Sequence, residues 1–358
     1  MANKALFKTS HAPATDTTNE AGGIAYSLSN EQALAQYALT GCINNTYYAT
    51  AETQLETILK LCDGIDTEFI AKLAIYARQK GYMKDVPTLL CAVLAVKNGK
   101  LLEKIFLQVI DNGKMLRNFV QIIRSGVTGR KSLGTLPKRL VADWLNGKTS
   151  GQLLAAMVGN DPSLSDIIKM VHPKPSDLTT TANYGYIIGK EYSYEALGED
   201  IKEYEAYRKS ETKEVPDVPF QLLTSLELDT EAWKAIAKTA GWHMLRMNLN
   251  TFKRHGVLDD PEMISFIANR LRDAEAIRKS RVFPYQLLAA YLNIDDDIPL
   301  AIKNALQDAL EISLENVPKI EGKVYVLPDV SGSMSSAVTG ERKGSTYKVR
   351  CIDVAAIV

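Results

Sequence analysis

The sequence predicts a mainly α fold, a HEAT-like helical-repeat solenoid, followed near its end by the start of a short α/β segment. Three observations predict it. Apolar stripes at helical spacing recur from Leu34 onward, each introduced by a residue that caps helix N–H groups. Short polar turns separate the stripes, as paired helices in a stacked array require. Only one β-branched run, Val324-Tyr325-Val326-Leu327, reads as a strand. The repetition is structural rather than one of sequence, and an irregular helical domain is the alternative architecture.

Element by element, Ser29-x-x-Gln32 forms a capping box ahead of Leu34, Ala35 and Ala38, with Gly41 as a stop. Asp66 caps a stripe of Phe69, Ile70, Leu73, Ala74 and Ala77 that ends at Gly81. After Asp85 and Pro87 a helix carries Leu89, Leu90, Ala92, Val93 and Leu94 and stops near Gly99. Leu101 to Ile110 and Met115 to Ile123 follow, divided by Asp111-Asn112-Gly113. Helical pattern continues over Leu136 to Leu145, Gly151 to Val158 and Leu164 to Met170. It weakens from Pro173 to Pro219, where Glu191 to Asp217 reads as a solvated insertion or one exposed helix. Asp229 then caps Trp233, Ile236, Ala237 and Ala240, and helices follow over Trp242 to Phe252, Pro261 to Leu271, Pro284 to Leu292 and Pro299 to Leu314.

Composition narrows the functional classes. With 42 basic and 42 acidic residues the chain is formally neutral, so any affinity for nucleic acid must come from a local patch. Cys42, Cys62, Cys91 and Cys351 lack C-x-x-C spacing and read as reduced thiols of a cytoplasmic protein. No apolar run reaches the length of a membrane span, and residues 1–20 read as a disordered polar tail without a signal-peptide core. No Walker loop, His/Cys metal cluster or nucleophile–base pair is legible, which argues against an enzyme.

Two features carry chemistry. Between Arg117 and Lys148 stand seven basic residues, namely Arg117, Arg124, Arg130, Lys131, Lys138, Arg139 and Lys148, against the single acid Asp143. Such segregation makes a positive face that can neutralise phosphates, and Gly126, Gly129 and Gly134 leave backbone N–H groups near it. A merely solvated helix face is the plainer reading of the same run. His172-Pro173-Lys174-Pro175 is held extended by its prolines, where a histidine could hydrogen-bond or stack with RNA bases. Weaker basic clusters, diluted by acids, contain Arg246, Lys253, Arg254 and His255, then Arg270, Arg272, Arg278, Lys279 and Arg281. The second feature is Asp329-x-Ser331-x-Ser333, one carboxylate and two hydroxyls alternating on a loop after the predicted strand. Hard oxygen donors in that arrangement suit Mg²⁺ or another divalent cation, although six oxygens are wanted and the site is incomplete in this chain. Lys348 to Val358 reads as a helix packing on the strand, and its apolar end suggests a domain cut short or completed by a separately encoded remainder.

Several segments in order resemble the TROVE, or Ro ribonucleoprotein, family. They are Gly22 to Tyr26, Ala77 to Lys84, Ala142-Asp143-Trp144, His172 to Pro175, Asn248-Leu249-Asn250 and Ser280 to Tyr285, with the Asp-x-Ser-Gly-Ser-Met loop at Asp329 to Met334. The resemblance implies a ring of HEAT-like repeats over 21–314, a linker over 315–323, and at 324–358 the N-terminal fragment of a von Willebrand factor A domain. It implies binding of small noncoding Y-type RNA and of single-stranded ends of misfolded RNA in RNA quality control, with an exoribonuclease as a possible partner. A monomer without membrane attachment is expected. Lys138 and Arg139 match the family's basic positions ahead of the Asp-Trp pair, and His172 matches the histidine of its RNA-contacting surface. Arg130, Lys131 and Lys174 are counted with them as RNA-binding, and Asp329, Ser331 and Ser333 match the first metal-site positions. The family's later threonine and aspartate ligands have no counterpart here. The alternative reading is a helical-repeat protein-interaction scaffold with a metal-dependent partner-binding loop.

Overall fold

The computed structural model describes residues 15–19, 22–41, 43–45, 49–338 and 349–357. Most of the expected tail and Cys42 lie outside the described residues. Just within them, β1 (Thr17–Thr18) pairs antiparallel with β2 (Ile24–Ala25), Thr17 opposite Ala25.

The helices come in chain order as α1 (Asn30–Thr40), α2 (Ala51–Asp63), α3 (Thr67–Gln79), α4 (Asp85–Lys97), α5 (Gly99–Val109), α6 (Gly113–Ser125) and α7 (Thr135–Asn146). Then follow α8 (Ser150–Met157), α9 (Leu164–Val171), α10 (Leu178–Ile188), α11 (Glu199–Arg208), α12 (Phe220–Leu223) and α13 (Thr230–Thr239). The series ends with α14 (Trp242–Met247), α15 (Leu249–Arg254), α16 (Pro261–Leu271), α17 (Ala274–Ser280), α18 (Pro284–Asn293), α19 (Leu300–Ser313) and α20 (Cys351–Ala355). The protein is thus mainly helical, as predicted. The chain divides into two compact units, one of residues 1–145 and 160–173, the other of 146–159 and 174–358.

In the first unit α3 packs on α4 and α5, α4 on α5 and α6, and α1 on α2 and α3. The central helix α4 is buried over every residue from Val86 to Ala95, so it has no polar face. Each large side chain so buried contributes about 1.5–3 kcal/mol of hydrophobic stabilisation. Phe106 and Phe119 meet edge to face at 5.0 Å between centroids. Polar side chains then lock the layers. Arg78 grips Asp111 at 2.6 and 2.8 Å through Nη2 and Nε, and the Trp144 indole N–H donates to the Ile110 carbonyl at 2.7 Å.

In the second unit α8 packs on α10 and α11, and α16 to α18 pack around α19. The expected solvated stretch is better ordered than predicted. Helix α11 buries Ile201, Tyr204 and Glu205, and Glu205 is satisfied by the Tyr186 hydroxyl at 2.6 Å and by Arg208. Asn248 divides the expected helix from Trp242 to Phe252 into α14 and α15.

The largest correction concerns the predicted strand. Residues 324–330 form no strand among the described residues, and Tyr325 and Leu327 are 82% and 89% exposed. β-branched residues favour a strand only where a neighbour takes up the backbone hydrogen bonds and covers a face. No described segment does so. After it Gly332–Ser335 forms a 3₁₀ turn on which α20 packs, so the expected terminal helix exists but rests on the loop.

Candidate nucleic-acid interface

The basic run folds as the end of α6, a loop over 126–134 and the first turns of α7. Gly126 closes α6 at φ 86°, a left-handed conformation that favours glycine. Lys131 lies over it so closely that a Cβ on Gly126 would stand 3.0 Å from the Lys131 Cγ.

The loop consumes some of its own charge. Arg130 donates Nε to the Ser132 carbonyl at 2.9 Å and Nη1 to the Ala95 carbonyl at 3.2 Å, pinning the loop to the end of α4. Arg139 pairs with Glu103 of α5. Arg117 is buried, and its guanidinium is held below the usual range by desolvation. Arg130 and Arg139, expected among the RNA-binding residues, thus have their first partners within the chain. Lys131 and Lys138 are exposed and, among the described residues, no ion pair holds them.

His172 closes α9 in the left-handed region at φ 50°, with its side chain exposed. Lys174 is also exposed, but it belongs to the second unit, where its carbonyl accepts from Asn146 at 3.2 Å. What joins the first unit's residues is a groove that sequence reasoning missed. Helices α6 and α9 pack together and border a cavity of about 680 Å³ lined by Gln121, Arg124 and Ser125 on one side and Asp161, Asp166 and Lys169 on the other.

Lys131 over Gly126, then Ser125 and Arg124, then Lys169 one helical turn from His172, make a continuous path. Asp166 is an exposed carboxylate within the same groove. It closes a capping box with Ser163, whose side-chain and backbone hydrogen bonds hold its carboxyl below the usual range, with Lys169 and Arg124 adding to the effect. Lys169 follows its own capping box by only a few residues, and helical spacing back from His172 could have flagged it.

The two basic clusters of the second unit are largely engaged. Lys253 pairs with Asp259 at 2.9 Å, Arg272 with Asp308 at 3.5 Å and Arg278 with Glu315 at 2.7 Å. Arg270 donates to the Lys238 and Ala240 carbonyls, and His255 stacks on Trp233 at 4.4 Å. Of the predicted cations there, Arg254 and Lys279 remain exposed and outside any ion pair among the described residues.

At the loop over 329–333, the Asp329 carboxylate accepts from the Ser331 N–H at 2.8 Å, and the Ser331 and Ser333 hydroxyl oxygens stand 3.0 Å apart. The hydroxyl separation matches the edge of an octahedron of Mg²⁺ ligands, about 3 Å for metal–oxygen distances near 2.1 Å. Two of the three side chains thus stand at a spacing that a hard-cation shell could use and that their mutual hydrogen bond also gives. Among the described residues no group of three His, Cys, Asp or Glu side chains is placed to hold a metal, and no helix is long and apolar enough to cross a membrane.

Residues 214–321 match the family model of the TROVE domain. The chain is 22% identical over 352 residues to the RNA-binding protein RO60 of Deinococcus radiodurans, covering 88% of this chain and 66% of that protein. It therefore spans just under two thirds of that relative's length. The crystal structure of the Deinococcus radiodurans RO (RSR) protein superposes with a TM-score of 0.60 at 20% identity, over 87% of this chain and 70% of that one. The chain is thus similar in sequence to the TROVE domain over 214–321 and shares the helical fold of the solved RO structure.

Proposed function

We propose that this protein binds RNA through the first unit, using Lys131, Arg124, Lys169 and Lys138 for phosphates and His172 at the end of the path. The observation that carries the reading is the set of exposed cations, Lys131, Arg124 and Lys169, from the loop over 126–134 along the α6–α9 groove toward His172, with Asp161 and Asp166 in the same groove. Lysines and arginines so presented release counterions from a phosphate backbone, and that release supplies much of the affinity of a protein for nucleic acid. The rigid helical support gives shape selection for a folded RNA. The relative's name, an RNA-binding protein, supports the same class. The finer reading is a small noncoding RNA of Y type together with single-stranded ends of misfolded RNA, in quality control, with an exoribonuclease as a working partner in the cytoplasm.

The test is a salt titration of small-RNA binding with the wild type and a Lys131→Glu, Lys138→Glu, Lys169→Glu variant. The variant should bind on the order of a hundredfold more weakly at low salt. Its log–log salt slope should be shallower by about 2 to 3. Equal slopes would remove the assignment.

Asp329, Ser331 and Ser333 are proposed as part of a Mg²⁺ site whose other ligands come from water or a partner. This site favours, as a second role, metal-dependent docking of another protein beside the exposed apolar run over 324–330. Mg²⁺-dependent partner capture that survives Asp329→Ala would refute that role.

A further inference from the structure

The geometry points to a second oxyanion site, in the second unit, where Arg246 heads a cleft that takes a phosphate group. Helices α14 and α15 border α18 across a cavity of about 240 Å³ lined by Arg246, Leu249, Asn250, Ala289, Ala290 and Ile294. Met247 and Asn293 complete the walls, whose polar groups are the guanidinium and the Asn250 and Asn293 amides; Asn293 donates its Nδ2 to the Ala289 carbonyl at 2.7 Å. The Asn250 amide is already used: its Nδ2 donates to the Asn293 carbonyl at 3.0 Å, and its Oδ1 accepts from the Asp295 N–H at 3.1 Å. Asn250 therefore fixes the width of the cleft, and the guanidinium remains to meet a ligand.

Arg246 differs from the other arginines around it. Arg208, Arg272 and Arg278 each meet a carboxylate, and Arg270 caps two carbonyls. Arg246 gives Nη1 to the Gln286 carbonyl at 2.5 Å and lies 5.9 Å from the Trp242 ring, while its Nε is buried without a hydrogen-bond partner. Burial holds its guanidinium below the usual range, and among the described residues no ion pair engages it. A cation drawn partly out of water with no paired carboxylate among the described residues is costly. A phosphate oxygen offers that counter-charge to the edge of the guanidinium that Gln286 leaves open, and the largely apolar walls strengthen the attraction by limiting water. The site does not rest on the RNA reading, since its ligand could equally be inorganic phosphate, a free nucleotide or one phosphate of a strand.

The experiment titrates the full chain with inorganic phosphate, uridine monophosphate and a short oligouridylate. Calorimetry and Trp fluorescence are the readouts, the latter because Trp242 adjoins the guanidinium. Saturable binding of phosphate alone assigns a free-anion source, and binding of only the oligomer assigns a strand. Arg246→Met should weaken whichever binds by on the order of tenfold or more. Arg246→Lys should fall between, and Ala289→Leu, which fills the cleft and keeps the charge, should block binding. Melting curves identify any variant that fails to fold, and Arg246→Lys with Ala289→Leu then decide. No saturable binding of any probe, wild-type affinity in Ala289→Leu, or competition by acetate but not phosphate overturns the proposal.

Discussion

The two units carry similar numbers of conspicuous basic residues and spend them differently. In the first, Lys131, Lys138, Arg124 and Lys169 face solvent around a groove. In the second, Lys253, Arg270, Arg272 and Arg278 are committed to carboxylates or carbonyls of the chain itself. Exposed ion pairs of that kind contribute little stability each, yet they cancel the field an RNA would feel. A basic cluster in a sequence therefore reports charge, and only the partners decide whether that charge is available.

The contrast is sharpened most by charge reversal. The Lys131, Lys138 and Lys169 triple reversal should cost on the order of a hundredfold in RNA affinity. Reversing Arg272 and Arg278 together should change it by less than about threefold while lowering stability by less than about 1 kcal/mol per pair. A larger effect from the second unit would break the comparison. Next comes Glu205, buried beneath Tyr186 and Arg208. Burial pushes its carboxyl up, but the Arg208 and Tyr186 hydrogen bonds outweigh that and hold it below the usual range. Glu205→Ala should cost about 2 kcal/mol in denaturant unfolding, through the stranded Tyr186 hydroxyl, with RNA affinity unchanged.

Within the first unit, Lys138→Ala should weaken binding several-fold more than Arg139→Ala, because Arg139 is already paired with Glu103. Equal losses in a filter-binding assay would show that the pair opens for RNA. The smallest expected effect is on pH. The Asp166 carboxyl is held below the usual range by Ser163, so its contribution is fully present above the unfolded value near 3.8. It is lost as pH falls through the lower folded value. Hydrogen-exchange protection in α9, taken relative to the intrinsic rate at each pH, should therefore fall below about pH 4, and Ser163→Ala should abolish that dependence.

Much of the helical scaffold was legible because its signals are local. Ser29 with Gln32, Asp66, Asp229 and Pro261 all begin helices as predicted. The helices that escaped have weak or conflicting local patterns. Helix α2 buries only Gln54, Ile58 and Cys62 along a largely polar segment, and α10 is built from Thr, Tyr and Gly residues that favour strands or turns. The candidate interface was half legible. Its lysines stand out in the sequence, but Arg130 meets the carbonyl of Ala95 and Arg139 meets Glu103, and no periodicity links positions so far apart. Several segments that carried the family resemblance are joints rather than contact points. Arg78 holds Asp111, Trp144 holds Ile110 and Asn250 spans to α18.

Crosslinking bound small RNA to the full chain and mapping the modified peptides tests the central claim most directly. Crosslinks on peptides spanning 124–138 and 169–172 are the predicted result. Crosslinks confined to 270–281, with none on those peptides, would contradict it.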